Sequence, residues 1–245
     1  MSINIRPGVS IGPGNNFKVP YIPLVTSGML YNFDAASYSG SGDWIDGCAG
    51  THATLVNAPS WSSDNGGIFT LNQSYDQYFT APWPSFEPTF TIDMWFNFTA
   101  DQAGDAPCLI TDSFSGGDIN FTINATQSKL QTGWYNTNWN GQFADNNVGA
   151  PFTHDGTTWY NIIMAVGATE YKDYINGDVS YAPGNFGGGS APIGSGSSQM
   201  LYIGHRWDND QTINAKIAVV NIYNRALSDQ EAAQNYNHYK KRFGL

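Results

Sequence analysis

The side chains that could do chemistry are few and dispersed. Of the twenty acids in this 245-residue chain, seventeen are Asp, and the only glutamates are Glu87, Glu170 and Glu231. Glu87 precedes Pro88, Glu170 falls near a hairpin signal and Glu231 falls at a helix start, so no two are placed to work together. Acid–base catalysis needs a carboxyl whose surroundings move its pKa toward the working pH. Asp208 and Asp210 are close in sequence, but they sit in a polar stretch where solvated acids keep ordinary behaviour. His52, His154, His205 and His238 are scattered, make no zinc spacing and read as surface or turn residues. There is no Gly-x-Ser-x-Gly elbow. Gly187-Gly-Gly-Ser190 with Gly194-Ser-Gly196 lacks the Lys-Ser/Thr ending of a phosphate loop and reads as a flexible connection. Cys48 and Cys108 are isolated; a disulfide stays open, but two buried thiols suit a chain without an export signal better. No catalytic residue is assigned.

The elements that must position these groups read as strands. Phe90, Ile92, Met94, Phe96 and Phe98 alternate with other residues and fall on one face. Ile119-Asn-Phe-Thr-Ile123 alternates likewise, and 159–166, 200–203 and 217–223 have strand composition. Tyr171-Lys-Asp-Tyr-Ile-Asn-Gly177 ends in Asn-Gly, the strongest short hairpin signal. Many short strands with Gly- and Asn-rich turns predict a sandwich or barrel. One helix is predicted. Ser228-Asp-Gln-Glu231 reads as a capping box, with Ala232, Tyr236, Tyr239 and Phe243 on one face. Its end carries Lys240, Lys241 and Arg242, where the helix dipole favours cations. Trp95 and Trp159 lie in strands and read as core.

Composition narrows the class. Only 12% of residues are charged, aromatics make 15%, and the net charge is -10. That composition argues against disorder, and the acidity argues against a nucleic-acid partner. No apolar run reaches the ~18 residues of a membrane span. No secretory signal opens the chain. The charge divides as +2 over residues 1–30, -15 over 31–210 and +3 over 211–245. The basic ends either fold back on the acidic body or dock on an acidic neighbour. In residues 1–27, Pro7, Pro13, Pro20 and Pro23 forbid a helix, while Ile3, Ile5, Val9 and Ile11 make an alternating apolar edge beside Arg6. This reads as an extended arm for assembly.

Several strings, in order and spacing, resemble the concanavalin A-like lectin/glucanase superfamily, in its laminin-G-like branch. They are Tyr31-Asn-Phe-Asp-Ala-Ala36, Trp44, Thr54-Leu-Val-Asn57, the run 62–72 with Tyr75-Asp76 and Tyr78, and Phe90–Phe96. Tyr174-Ile-Asn-Gly177, Leu201-Tyr-Ile-Gly204 with Arg206, and Ile222–Tyr236 complete the set, which covers about residues 28–238. The resemblance implies an all-β, two-sheet antiparallel jelly-roll sandwich over 28–227, with a short helix and tail over 228–245 packed on it. Glucanases of this fold resemble one another in a Glu-x-Asp-x-Glu strand, which this chain lacks, so no glycosidase pair of carboxyls is assigned. Calcium is the one cofactor implied, with Asp34, Asp76, Asp208 and Asp210 as candidate ligands. Against it, the chain reads Ala215-Lys-Ile where relatives commonly carry acids. Sugar binding is implied at aromatic rings interleaved with amides and acids. Here that means Trp134, Tyr135, Asn136 and Trp139, and a second cluster at Trp207 and Asp208, although for Trp134 and Trp139 core or subunit contact is the favoured alternative.

Chains of this kind with Pro/Gly-rich arms and no signal peptide resemble tailed-phage structural proteins. The first expectation is therefore a non-catalytic bacteriophage virion protein, a capsid decoration or tail component made in the host cytoplasm. Its partners would be other virion proteins or copies of itself. The alternative is a glycan-binding adhesin that recognises a cell surface; a glycoside hydrolase comes last.

Overall fold

A computed structural model describes residues 21–84, 89–101, 107–112, 119–124, 129–134, 142–148, 152–168, 170–181, 200–206 and 211–245. The strands, in chain order, are β1 (Met29–Asp34), β2 (Trp44–Ile45), β3 (His52–Val56), β4 (Ser60–Ser62), β5 (Ile68–Leu71) and β6 (Tyr78–Pro82). Then come β7 (Phe90–Phe98), β8 (Cys108–Asp112), β9 (Ile119–Asn124), β10 (Lys129–Trp134), β11 (Gln142–Val148) and β12 (Tyr160–Val166). The last are β13 (Tyr171–Ile175), β14 (Asp178–Tyr181), β15 (Met200–Ile203), β16 (His205–Arg206), β17 (Gln211–Thr212) and β18 (Ala215–Tyr223). One helix, α1 (Asp229–Tyr239), follows. No helix among the described residues is long and apolar enough to cross a membrane.

The strands form two antiparallel sheets. The first runs β14-β13-β12-β7-β18-β5-β4, with β1 also pairing β18; the second runs β11-β10-β9-β8-β15-β6-β3-β2. This is the two-sheet jelly-roll arrangement expected from the sequence. Register explains the core. Ile162, Met94 and Val220 lie side by side across β12, β7 and β18, as do Met164, Ile92 and Ile222. All six face the second sheet, where Phe79, Ala81, Leu201 and Ile203 meet them. Asn176 and Gly177, at φ 52° and 83°, make the β13–β14 turn, a left-handed pair that Asn-Gly adopts readily.

The other face of the first sheet is also buried, because α1 lies across it. Thr91, Asp93, Trp95 and Asn97 are fully buried there. Ala232 of α1 packs on Ile163, Ala165 and Tyr174. The capping box is present: Ser228 Oγ accepts the Glu231 amide, and the Glu231 carboxylate accepts the Ser228 amide at 3.0 Å. Arg225 grips the same carboxylate at 2.7 and 2.8 Å, which with the Ser228 contacts holds the Glu231 pKa down to about 2. Trp95 and Trp159 are core residues as expected, but of this outer layer: Phe243 stacks on Trp95 and packs on Trp159, with ring centroids 4.5 Å apart in both pairs.

Two expectations change here. Cys108 is buried, but Cys48 is exposed, and both are free thiols. Cys48 sits on a surface turn whose amides, including those of Cys48 and Thr51, converge on the buried Asp46 carboxylate. The basic C-terminal cluster is more than helix-end electrostatics. Arg242 pairs with Asp34 at 2.7 Å and donates to the carbonyls of Asn65 and Gly67. For this end, the folding-back alternative is the one observed.

Residues 22–27 lie against the same layer. His238 Nδ1 donates to the Ile22 carbonyl at 2.6 Å, Gln234 to that of Pro23 at 2.8 Å, and Tyr223 to that of Val25 at 3.0 Å. The Val25 amide donates to Asn235 Oδ1 at 3.0 Å. The arm residues Ile3, Ile5, Arg6, Val9 and Ile11 lie outside the described residues.

Candidate functional site

On the second sheet, alternation sends Phe79, Ala81, Leu201 and Ile203 inward. Tyr78, Thr80 and Tyr202 consequently face outward. Register places Thr54, Thr80, Tyr202 and Thr111 directly opposite one another across β3, β6, β15 and β8. Next to this row the chain bends at Gly204, whose φ is +84° and whose amide donates to the Leu109 carbonyl at 2.8 Å. A Cβ there would come 2.2 Å from Leu71 Cδ1, so glycine is required for both conformation and space. The bend brings His205 onto the outward side. Its ring lies 4.3 Å from Tyr78 and 5.5 Å from Tyr202, and the two tyrosine rings are 6.1 Å apart. His205 is 4% exposed, which corrects its reading as a surface or turn residue, while both tyrosines remain half-buried.

Two half-buried phenol rings, packed against the buried His205 ring and beside Thr54 and Thr80, can pack on the C–H face of a ring-shaped polyol and exchange hydrogen bonds with its hydroxyls. None of these three ring residues was singled out from the sequence as a site residue. Tyr78 and Tyr202 are far apart in the chain, and only the register of β6 against β15 joins them. The available signal was parity: Tyr202 sits between two apolar residues that must face the core.

Of the candidate saccharide residues, only Trp134 lies among the described residues. Trp134 is the last residue of β10, paired with Ile119 and Gln142. Tyr135, Asn136 and Trp139 fall between β10 and β11, outside the described residues. Trp207, Asp208 and Asp210 are likewise outside them, but β16 pairs with β17, so this stretch starts and ends on neighbouring strands, immediately after His205 and Arg206.

The two described candidate metal ligands, Asp34 and Asp76, stand in different settings. Asp34 accepts the Ala36 amide at 2.9 Å as well as Arg242. Asp76 stands in a left-handed turn, with one carboxylate oxygen buried and unpartnered. No group of three or more His, Cys, Asp or Glu among the described residues could hold a metal ion. Calcium wants about 6–8 oxygen donors, and the described candidates do not assemble that set.

Asp93 is the described carboxyl whose pKa is raised, by burial, against three amide donors: Asn161 at 2.7 Å, Asn235 at 3.0 Å and Asn221 at 3.1 Å. It lies fully buried beneath α1. Asp229 is held below the ordinary carboxylate range by Lys172 and Tyr174, and Glu231 by Arg225.

A family profile described as the concanavalin A-like lectin/glucanases superfamily, laminin-G-like, matches residues 72–233. The chain belongs to this superfamily. Among curated proteins none matches the sequence significantly. Solved structures of similar fold include the ligand-binding domain of botulinum neurotoxin serotype D in complex with N-acetylneuraminic acid. That likeness has a TM-score of 0.65 at 12% identity, over 86% of this chain and 51% of that one. The binding domain of Paraclostridial Mosquitocidal Protein 1 matches with a TM-score of 0.68 at 14% identity, over 87% and 52%. The botulinum neurotoxin serotype G binding domain matches with a TM-score of 0.63 at 15% identity, over 84% and 50%. The chain spans about half the length of these structures, and at such identities the likeness establishes the fold.

Proposed function

We propose that this protein is a non-catalytic binding domain that recognises a glycan on the outer face of its second sheet. The observation that carries this reading is the Tyr78–Tyr202–His205 cluster, set beside a threonine row and continuous in sequence with Trp207-Asp208. Its chemistry suits a sugar: phenol ring faces for C–H surfaces, and tyrosine and threonine hydroxyls for the polar edge. Lectin-like family membership and neighbours that are receptor-binding domains support it. The commitments of Asp34, Asp229 and Glu231, and the burial of Asp93, support the absence of catalysis.

A glycan array tests the reading. Wild type should bind a defined set of glycans, and Tyr202→Ala and Trp207→Ala should each weaken that binding about tenfold or more. Equal binding by wild type and both variants would remove this site, and turnover of a labelled oligosaccharide would overturn the non-catalytic reading.

A second reading is compatible with the first: a virion component held on a capsid or tail by residues 1–20, with the sandwich displayed outward. What favours it is the anchoring of residues 22–27 on α1, which would transmit a pull on the preceding segment directly to the folded body. Particles that incorporate the protein equally well without residues 2–20 would remove this reading.

A further inference from the structure

On the opposite sheet, under the end of α1, lies an open cleft of about 450 Å³. Asp64, Asn65, Thr157, Trp159, Lys216 and Phe243 line it. Its volume falls in the roughly 300–1,000 Å³ range of small-molecule sites. Lys216 lies between Ala215 and Ile217 of β18, which both face the core, so its side chain emerges on the outer face. Lys216 is half-buried as a residue; its ammonium donates to the Gly156 carbonyl at 2.7 Å and forms no ion pair among the described residues. Asp64, on the rim, accepts from the Ser62 hydroxyl at 3.0 Å and is likewise without a cation. Lys216 and Asp64 thus border one cleft as uncompensated opposite charges, more than 4.0 Å apart. Trp159 and Phe243, 6% and 7% exposed, give the floor apolar edges rather than an open stacking platform.

We propose that this cleft is a second saccharide subsite, one that takes a single neutral pyranose. Adjacent ring hydroxyls both accept and donate, so one sugar can take a hydrogen bond from Lys216 and give one to Asp64 without carrying charge. An anion would satisfy Lys216 but meet Asp64. A cation would meet the reverse conflict. The apolar edges of Trp159 and Phe243 suit the C–H side of the ring. With so little aromatic surface exposed, binding falls in about the millimolar range. This site shares no residue with the Tyr78–Tyr202–His205 face, and the two readings stand separately.

Saturation-transfer NMR on the full chain tests the proposal, with the methyl α-pyranosides of glucose, galactose and mannose as neutral probes. N-acetylneuraminic acid and inorganic phosphate serve as anionic ones. At least one neutral pyranoside should show transfer that drops about fivefold in Lys216→Met and in Asp64→Asn while persisting in Tyr202→Ala. Asp64 is exposed, so Asp64→Asn keeps the fold even where Lys216→Met does not. Three outcomes would overturn the proposal: no transfer to any neutral pyranoside, transfer that survives Asp64→Asn, or Lys216-dependent binding of the anions alone. Loss of transfer in Tyr202→Ala only would also overturn it and would favour the other face.

Discussion

Asp93 sits where a solvated polar residue is the ordinary expectation, on the outward parity of a central strand. It is fully buried instead, and the amides of Asn161, Asn221 and Asn235 supply what water would have. Asn235 also donates to the Tyr223 hydroxyl at 2.8 Å, so β7, β12, β18 and α1 meet at one carboxylate. Removing a buried acceptor leaves several donors unpaired, and this costs more than the net worth of the bonds themselves. Asp93→Ala should lower stability by about 3–5 kcal/mol in urea unfolding, and Asp93→Asn, which keeps volume and one acceptor, by about 1–3 kcal/mol. A loss below about 1 kcal/mol for the alanine variant would show that packing alone seats α1. Nothing in the sequence announces this network. Its three asparagines are scattered along the chain, and each read alone is a turn or surface residue. The inward-facing Phe90, Ile92, Met94, Phe96 and Phe98 were legible because alternation is a local pattern.

Among the elements, α1 was the most legible, because a capping box is written in four consecutive residues. What lay beyond reach was the reinforcement by Arg225 and the way Phe243 stacks on Trp95 and packs on Trp159. Both depend on where the helix lands. The start of α1 carries a pH dependence of definite sign. Glu231 titrates at about 2 in the folded chain, below its ordinary 4.5. Asp229 is lowered as well, by Lys172 and Tyr174. A lowered carboxylate stabilises the fold above its unfolded pKa, and that contribution is lost as pH falls through the folded value. Thermal melts should therefore decline between pH 4.5 and about 2. In Glu231→Gln the neutral-pH stability should be lower by about 1 kcal/mol, since both partners are partly exposed, and the acid decline shallower. An acid profile identical to wild type would place the sensitivity elsewhere.

At the scale of the molecule, three layers are stacked: the second sheet, the first sheet, and α1 with residues 22–27. The two-sheet plan was legible from strand pattern and family resemblance together. Of the third layer, the packing of α1 on the sandwich was expected, but the part played by residues 22–27 was not, because they read as part of an extended arm, whereas their backbone groups bond to His238, Gln234 and Asn235 of α1. Val25 is buried with Tyr223 and Leu227, and Leu24 packs against the Trp95 cluster. Residues 22–27 are therefore packed as part of the body. Deletion experiments separate the two. A chain lacking residues 2–20 keeps every contact named above and should unfold within about 0.5 kcal/mol of the full chain. Extending the deletion through residue 27 uncovers Tyr223 and leaves Asn235 without its Val25 partner, so stability should fall by about 2–4 kcal/mol. If both truncations unfold like the full chain, residues 22–27 contribute no net stability. If the shorter one is already destabilised, residues 2–20 take part in the fold of the body rather than only in attachment.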